Sequence, residues 1–236
     1  MPKGPIPHRR DRQRLPSAER RLLIMEATAE VIAERGFWGL SLQDVADRCG
    51  LTVPGVLRHV GSKAGLLVEL LSHRDLEDAR SLRTQLDVGQ DKVPDDWADG
   101  GPEGVDLRQL CSATVRHNAA QPAIVQLFTV LQAESLAPSH PAHEYFAHRQ
   151  ERALGAFAAL AADVSDHPQA LALQIMAMMD GLQLHWLRSP ETVDLVEEWE
   201  TAAETLFAQH TSPRANAKGG VSLLSSSHGD RDQGNS

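Results

Sequence analysis

Cysteine, aromatic residues and long apolar runs are scarce in this chain, and each scarcity removes a class of protein. Only Cys49 and Cys111 occur in 236 residues, with no Cys-x-x-Cys pair, so disulfides are not what organises the fold. The N-terminus is polar and basic where a secretory signal would be apolar, and the expected compartment is therefore a reducing cytoplasm. No run of about 18 apolar residues is present, which excludes a spanning helix and any membrane partner built on one. A phosphate-cradling glycine loop, a nucleophile elbow and a His-Glu-x-x-His motif are also missing. The expectation is a protein that is not an enzyme, with no catalytic residue, no metal and no cofactor.

What is present is helical. Aromatic residues are only 4% of the chain and alternating strand patterns are missing, while Ala, Leu, Glu, Gln and Arg recur at helical spacing. The net charge of -9 is segregated. Residues 1–74 hold 12 Lys+Arg against 8 Asp+Glu, and the remainder holds 11 against 24. A polyanion would be attracted by the first part and repelled by the second, as expected if one end of the molecule meets nucleic acid.

Residues 1–16, with Lys3, Arg9, Arg10, Arg12 and Arg14 among prolines, are expected to form a disordered basic arm, and residues 211–236 a disordered tail. Between them, a first helix begins near Ser17, whose hydroxyl can cap it, and carries Ile24, Ala27, Val31 and Ile32 on one stripe to Gly36. Ser41-Leu42-Gln43-Asp44 resembles a capping box; Leu42, Val45, Ala46 and Cys49 follow at i, i+3, i+4, i+7 before Gly50 ends that short helix. Thr52 can cap a third helix, whose apolar stripe Val53, Val56, Leu57, Val60 leaves Gly55, Arg58 and His59 on the other face. Ser62 then caps a long fourth helix carrying Leu66, Leu67, Leu70 and Leu71. Residues 88–104 are an acidic Gly/Pro-containing linker. Beyond it, helices are expected at about 105–119, 122–137, 141–162, 168–188 and 191–209, with Pro122, Pro141 and Pro168 as first-turn prolines and Ser189-Pro190 as a break.

Two short helices joined at Gly50 make a helix-turn-helix, a pattern of low specificity alone. Its flanks add much more. From Arg20 to Leu71 the chain resembles the DNA-binding domain of the TetR family of regulators, on Ile24 and Ala27, Gly36-Phe37, Ser41 with Val45-Ala46, Gly50-Leu51-Thr52, and Ser62-Lys63 with Leu66-Leu67. The resemblance implies an all-α protein with a helix-turn-helix domain at 17–75 and an effector-binding and dimerisation domain at 76–210. It also implies a recognition helix at 52–59. The expected DNA-binding residues are Ser41, Gln43, Thr52, Val53, Pro54, Gly55, Arg58, His59 and Lys63. Ser41 and Thr52 bring hydroxyls and free N–H groups to helix N-termini, where anions are favoured, and Lys63 adds a cation at a third. Pro54 and Gly55 are compact enough to let the backbone approach the groove, and Arg58 is the residue able to pair with guanine O6 and N7. The chain departs from the family in having Leu57 where a Tyr is usual and Val60 where a Phe is usual.

The segment 169–187 is apolar nearly all round, with Leu171, Ile175, Met178, Met179, Leu182 and Trp186 on one side and Leu173, Met176, Leu184 and Leu187 on another. In the family the last two helices of each protomer form the dimer interface, so a homodimer through these helices is expected. The family also implies an unknown small-molecule effector, for which the sequence offers Cys111, Val115, Phe128, Leu131, Gln132, Phe146, Met176, Asp180 and Gln183 as linings. Asp180 is the most pointed of them, since a carboxylate buried in an apolar helix needs a partner; a cap or surface position is the plainer reading. His140, His143, His148 and Glu144 lack a standard zinc spacing and read as a solvated helix face. The rival to an operator-binding regulator is a helical interaction or small-molecule-binding protein of the same fold that no longer binds DNA.

Overall fold

The computed structural model describes residues 16–87 and 104–210, and all its regular elements are helices. They are α1 (Ser17–Arg35), α2 (Leu42–Cys49), α3 (Val53–Val60), α4 (Lys63–Gln85), α5 (Leu107–Ala119), α6 (Pro122–Glu134), α7 (His143–Ala161), α8 (Pro168–Arg188) and α9 (Leu195–His210). The arm expected at 1–16 falls outside the described residues except for Pro16, as do the linker expected at 88–104 except for Gly104 and the whole tail expected from 211.

Local chemistry sets most of these boundaries. Ser41 Oγ accepts from Gln43 N at 3.1 Å, Thr52 Oγ1 from Gly55 N at 3.2 Å and Ser62 Oγ from Gly65 N at 2.9 Å, each satisfying an N–H that the helix leaves unpaired. Asp106 and Gln109 close a reciprocal capping box on α5, and Asp194 Oδ1 accepts from Val196 N and Glu197 N to start α9 four residues later than the sequence suggests. Pro122 and Pro168 occupy first turns as expected.

Three local expectations need correction. Ser17 caps nothing, because Pro16 already stands at the cap position of α1 and Ser17 is helical. The box at Ser41 stays half-closed, since Asp44 turns to Arg35 at 3.3 Å. Pro141 lies before α7 and outside its first turn: Ala142 N donates to the His140 imidazole and His143 N to the His140 carbonyl, which makes 140–143 a turn.

Packing joins the parts more closely than a boundary at residue 75 suggests. One core holds Ile24, Val31, Ile32, Phe37, Val45, Val56, Leu66, Leu67 and Leu70 of the first four helices together with Leu127 and Leu131 of α6 and Phe146 of α7. A second core holds Leu107, Cys111 and Val115 of α5, Leu171, Ile175 and Met179 of α8, and Leu195, Trp199 and Ala203 of α9. Trp199 is fully enclosed and its indole N–H donates to Ser112 Oγ at 3.1 Å, so this bulky side chain is buried without leaving its polar atom unpaired. The three short-domain helices and α4 thus rest on α6 and α7 through shared apolar contacts, each buried Leu or Ile contributing about 1.5–3 kcal/mol.

Candidate nucleic-acid interface

The helix-turn-helix is built by two turns of opposite duty. At Gly50 the chain enters the left-handed region (φ 61°, ψ 35°), which a residue without Cβ tolerates, and Leu51 N closes back on Ala46 O at 2.8 Å. Thr52 then resets the chain to extended geometry and caps α3. Val56 and Val60 are buried and hold α3 against the short domain, while Val53 and Leu57 are half-buried at its flanks.

Thr52, Pro54 and Arg58 are exposed and His59 is half-exposed, so the face of α3 away from the core presents a hydroxyl, a cation and an imidazole. Arg58 makes no ion pair among the described residues. Its neighbours in the domain differ: Arg48 is held by Glu30 and Glu34, Arg35 by Asp44, and Arg21 by Glu69. A guanidinium with its whole donor fork available is the one suited to a base edge or phosphate. Ser41 and Gln43 are exposed at the start of α2, although the Gln43 amide is engaged with Asp47 Oδ1 at 2.8 Å.

Two expected contacts are placed differently. Gly55 is buried, not on the outer face. Its N–H serves the Thr52 cap, and an added Cβ would press on Thr52 Oγ1 at 3.2 Å, so its small size serves the first turn of α3. Lys63 is half-buried with its ammonium 4.4 Å from the centre of the Phe37 ring. Burial lowers its pKa against the opposing pull of Glu134.

Of the residues expected to line an effector pocket, Phe128 meets Phe146 edge-to-face and Gln132 hydrogen-bonds Asp180. Cys111 and Val115 belong to the second core, whereas Leu131 and Phe146 are core residues of the first, and Phe128 packs against it. Burial pushes the Cys111 thiol far above its ordinary range. Met176 is half-buried, and Gln183 is tied to Asn118 at 2.9 Å. Asp180 is solvent-exposed, which corrects the idea of a buried carboxylate. Water reaches it although protein crowds around it, and that crowding raises its pKa against a Gln132 hydrogen bond and the charge of Arg149. No spacing along the chain signals the cluster beside it: Arg149 donates to Asp75 Oδ1 at 3.0 Å and lies 4.9 Å from the Phe128 ring centre, and Tyr145 donates to the same Asp75. A cavity of about 410 Å³ opens elsewhere, between α4 and α5, lined by Arg74, Asp78, His117 and Gln121 and by none of the expected effector residues. Those four side chains bond to one another, with Asp78 accepting from Gln121 and contacting the His117 ring.

His140 also departs from expectation, since it is enclosed between the short domain and α6 instead of lying on a solvated face. Among the described residues no group of three or more His, Cys, Asp or Glu side chains could hold a metal ion.

An all-helical body carrying an exposed, capped recognition helix defines a helix-turn-helix protein. Residues 24–70 match the family described as bacterial regulatory proteins, tetR family. The HTH-type transcriptional activator FasR of Mycolicibacterium smegmatis is 35% identical over 69 residues, which are 29% of this chain and 32% of that protein; the match spans about a third of the relative's length. Among solved structures, NalD of Pseudomonas aeruginosa, the secondary repressor of the MexAB-OprM multidrug efflux pump, superposes with a TM-score of 0.61 at 23% identity over 84% of this chain and all of that one. FadR of Bacillus subtilis, solved with stearoyl-CoA, superposes at 0.60 with 14% identity, over 79% of this chain and 97% of that one. Residues 24–70 are thus similar to the helix-turn-helix segment of tetR-family regulators, and the solved structures share the helical fold of the rest.

Proposed function

We propose that this protein is a transcriptional regulator that binds a pseudo-palindromic operator as a homodimer through α3 and changes its hold on DNA when a small effector binds the α5–α9 body. The observation that carries the reading is Arg58: an exposed guanidinium with no ion pair among the described residues, on a short capped helix whose other face is fixed in the core. The capped starts of α2, α3 and α4 favour phosphate on either side of that helix. Repression is the simpler mode, because a dimer seated on an operator needs no further partner to block transcription. That FadR was solved with stearoyl-CoA and shares this helical body supports an effector role for the C-terminal helices. No helix of the described residues is long and apolar enough to cross a membrane.

The test is selection from random duplexes with purified protein. Enrichment of an inverted repeat with half-sites about one helical turn apart or slightly more is the expected result. Log affinity should also fall linearly with log salt, with a slope of about -0.9 per phosphate contacted. Absence of any enriched duplex would favour the rival, a protein of this fold that has left DNA. Leu57 and Val60 motivate that rival, because the first carries no phenol for a phosphate and the second fills less of the core under α3.

A further inference from the structure

The short domain is fastened to α6 by a polar joint that neither core explains. Phe37 N, just past the end of α1, donates to Glu134 Oε2 at 2.7 Å, and Gly36 lies so close to the same carboxylate that a Cβ would collide with it. His140 closes the joint from the α6–α7 turn. Its ring packs edge-to-face on Phe37 and Trp38, at 5.0 and 5.7 Å between centroids, and its side chain is 0% exposed. Trp38 itself is 61% exposed, so the shell that shuts water away from the imidazole is only one side chain thick.

The proton inventory of this ring is constrained. Nδ1 accepts from Ala142 N at 3.2 Å, which places the neutral ring's proton on Nε2, and Nε2 has no hydrogen-bond partner among the described residues. Glu134 Oε2 lies 3.8 Å from it, the same oxygen that holds Phe37 N. A second proton must go on Nδ1, where it removes the acceptor that Ala142 N uses. The resulting cation then competes with Phe37 N for Glu134 Oε2. The other charged or titratable groups around the ring are Lys63 of α4, which sits over Phe37 and interacts with Glu134, and His143 of α7, whose Nδ1 is 2.8 Å from Ser135 O.

We infer that Glu134 and His140 form a proton-sensitive latch that holds the short N-terminal domain to α6 while His140 is neutral and lets go when it takes up a proton. Burial lowers the His140 pKa, only partly offset by Glu134. The sign follows. The released form binds the proton more readily, so the latch is secure above the ordinary imidazole range near 6.5 and loosens as pH falls from there through the depressed value. Each pH unit separating the two values allows about a tenfold shift in the closed-to-open ratio.

The primary readout needs no DNA. Trp38 emission and the His140 ring resonances are followed together from pH 8 to pH 5, with Trp38→Phe assigning the emission change and His140→Phe assigning the resonance. The expected result is one shared midpoint below 6.5, lost in His140→Phe, which keeps an aromatic ring against Phe37 and Trp38 but cannot titrate. Glu134→Gln, which keeps an acceptor for Phe37 N, should move the His140 midpoint lower still. The proposal is overturned if His140 titrates at its ordinary value, if Trp38 is unchanged across that midpoint, or if His140→Phe retains the transition. Misfolding of either variant does not decide the matter, because the wild-type pairing of the two signals does. A second arm rests on the regulator reading: operator affinity should fall with pH in the wild type and much less in His140→Phe. Loss of DNA binding at every pH would count against that reading and leave the Trp38 result to judge the latch.

Discussion

At the scale of single residues, the chemistry turns on which polar groups are already committed. Arg58 is uncommitted among the described residues, and if it pairs with a guanine, Arg58→Ala should cost about 1–3 kcal/mol in operator affinity and relax one base position. Equal weakening across all duplexes, read by competition with mutated operators, would assign it to phosphate instead. Cys111 is the opposite case. Its thiol is enclosed among Leu107, Val115 and Ile175, and burial holds the proton on sulfur. A folded-state pKa raised above the unfolded value contributes stability that is lost as pH climbs through and beyond the ordinary thiol range. A thiol-specific chromogenic reagent near pH 8 should therefore label Cys49 in the native protein and Cys111 only after unfolding. Cys49 should react more slowly than a free thiol, because it is half-buried and both burial and the charges of Glu30 and Glu26 raise its pKa.

At the scale of elements, helix ends carry much of the specification. The end of α1 is the sharpest example. Gly36 has φ 71° and ψ 176°, a region open almost only to glycine, and it faces the Glu134 carboxylate as well. Gly36→Ala should lower unfolding stability by about 1–3 kcal/mol, measured by denaturant titration, from backbone strain together with displacement of Glu134. Ordinary surface substitutions on α1 should stay within about 0.5 kcal/mol. Sequence reading was dependable at most helix ends, though it misplaced the cap of α1 at Ser17 and closed a box at Ser41 that stays half-open. Ser41, Gly50, Thr52, Ser62, Pro122 and Pro168 all sit at the ends their side chains suit. It failed at Pro141 and at Gly55, where a turn closed by an imidazole and the packing of the cap decided the outcome.

At the scale of the whole molecule, α8 is the element left unfinished. It buries Leu171, Ala172, Ile175, Met179 and Trp186 in its own chain, yet Leu173 is 55% exposed and Leu184 37%. In the proposed dimer these two exposed leucines would be the natural anchors of a helix-to-helix interface. The double variant Leu173→Arg with Leu184→Arg should shift the particle towards a monomer by light scattering after size exclusion. Operator affinity should fall with it, because two linked reading heads hold DNA far more tightly than one. A variant that stays dimeric would move the interface elsewhere on the α5–α9 body.

The helical class, the capped helix ends, the turn at Gly50 and the family likeness of residues 24–70 were written in the sequence itself, because each depends on residues a few positions apart. Tertiary structure alone could bring Glu134 to Phe37 across 97 residues, enclose His140 beneath Trp38, and place Cys111 and Val115 in one core but Leu131 and Phe146 in the other. Spacing along a chain encodes the period of a helix and the chemistry of its ends. Which faces then meet is fixed by burial summed over the whole molecule, and no short window of sequence contains that sum.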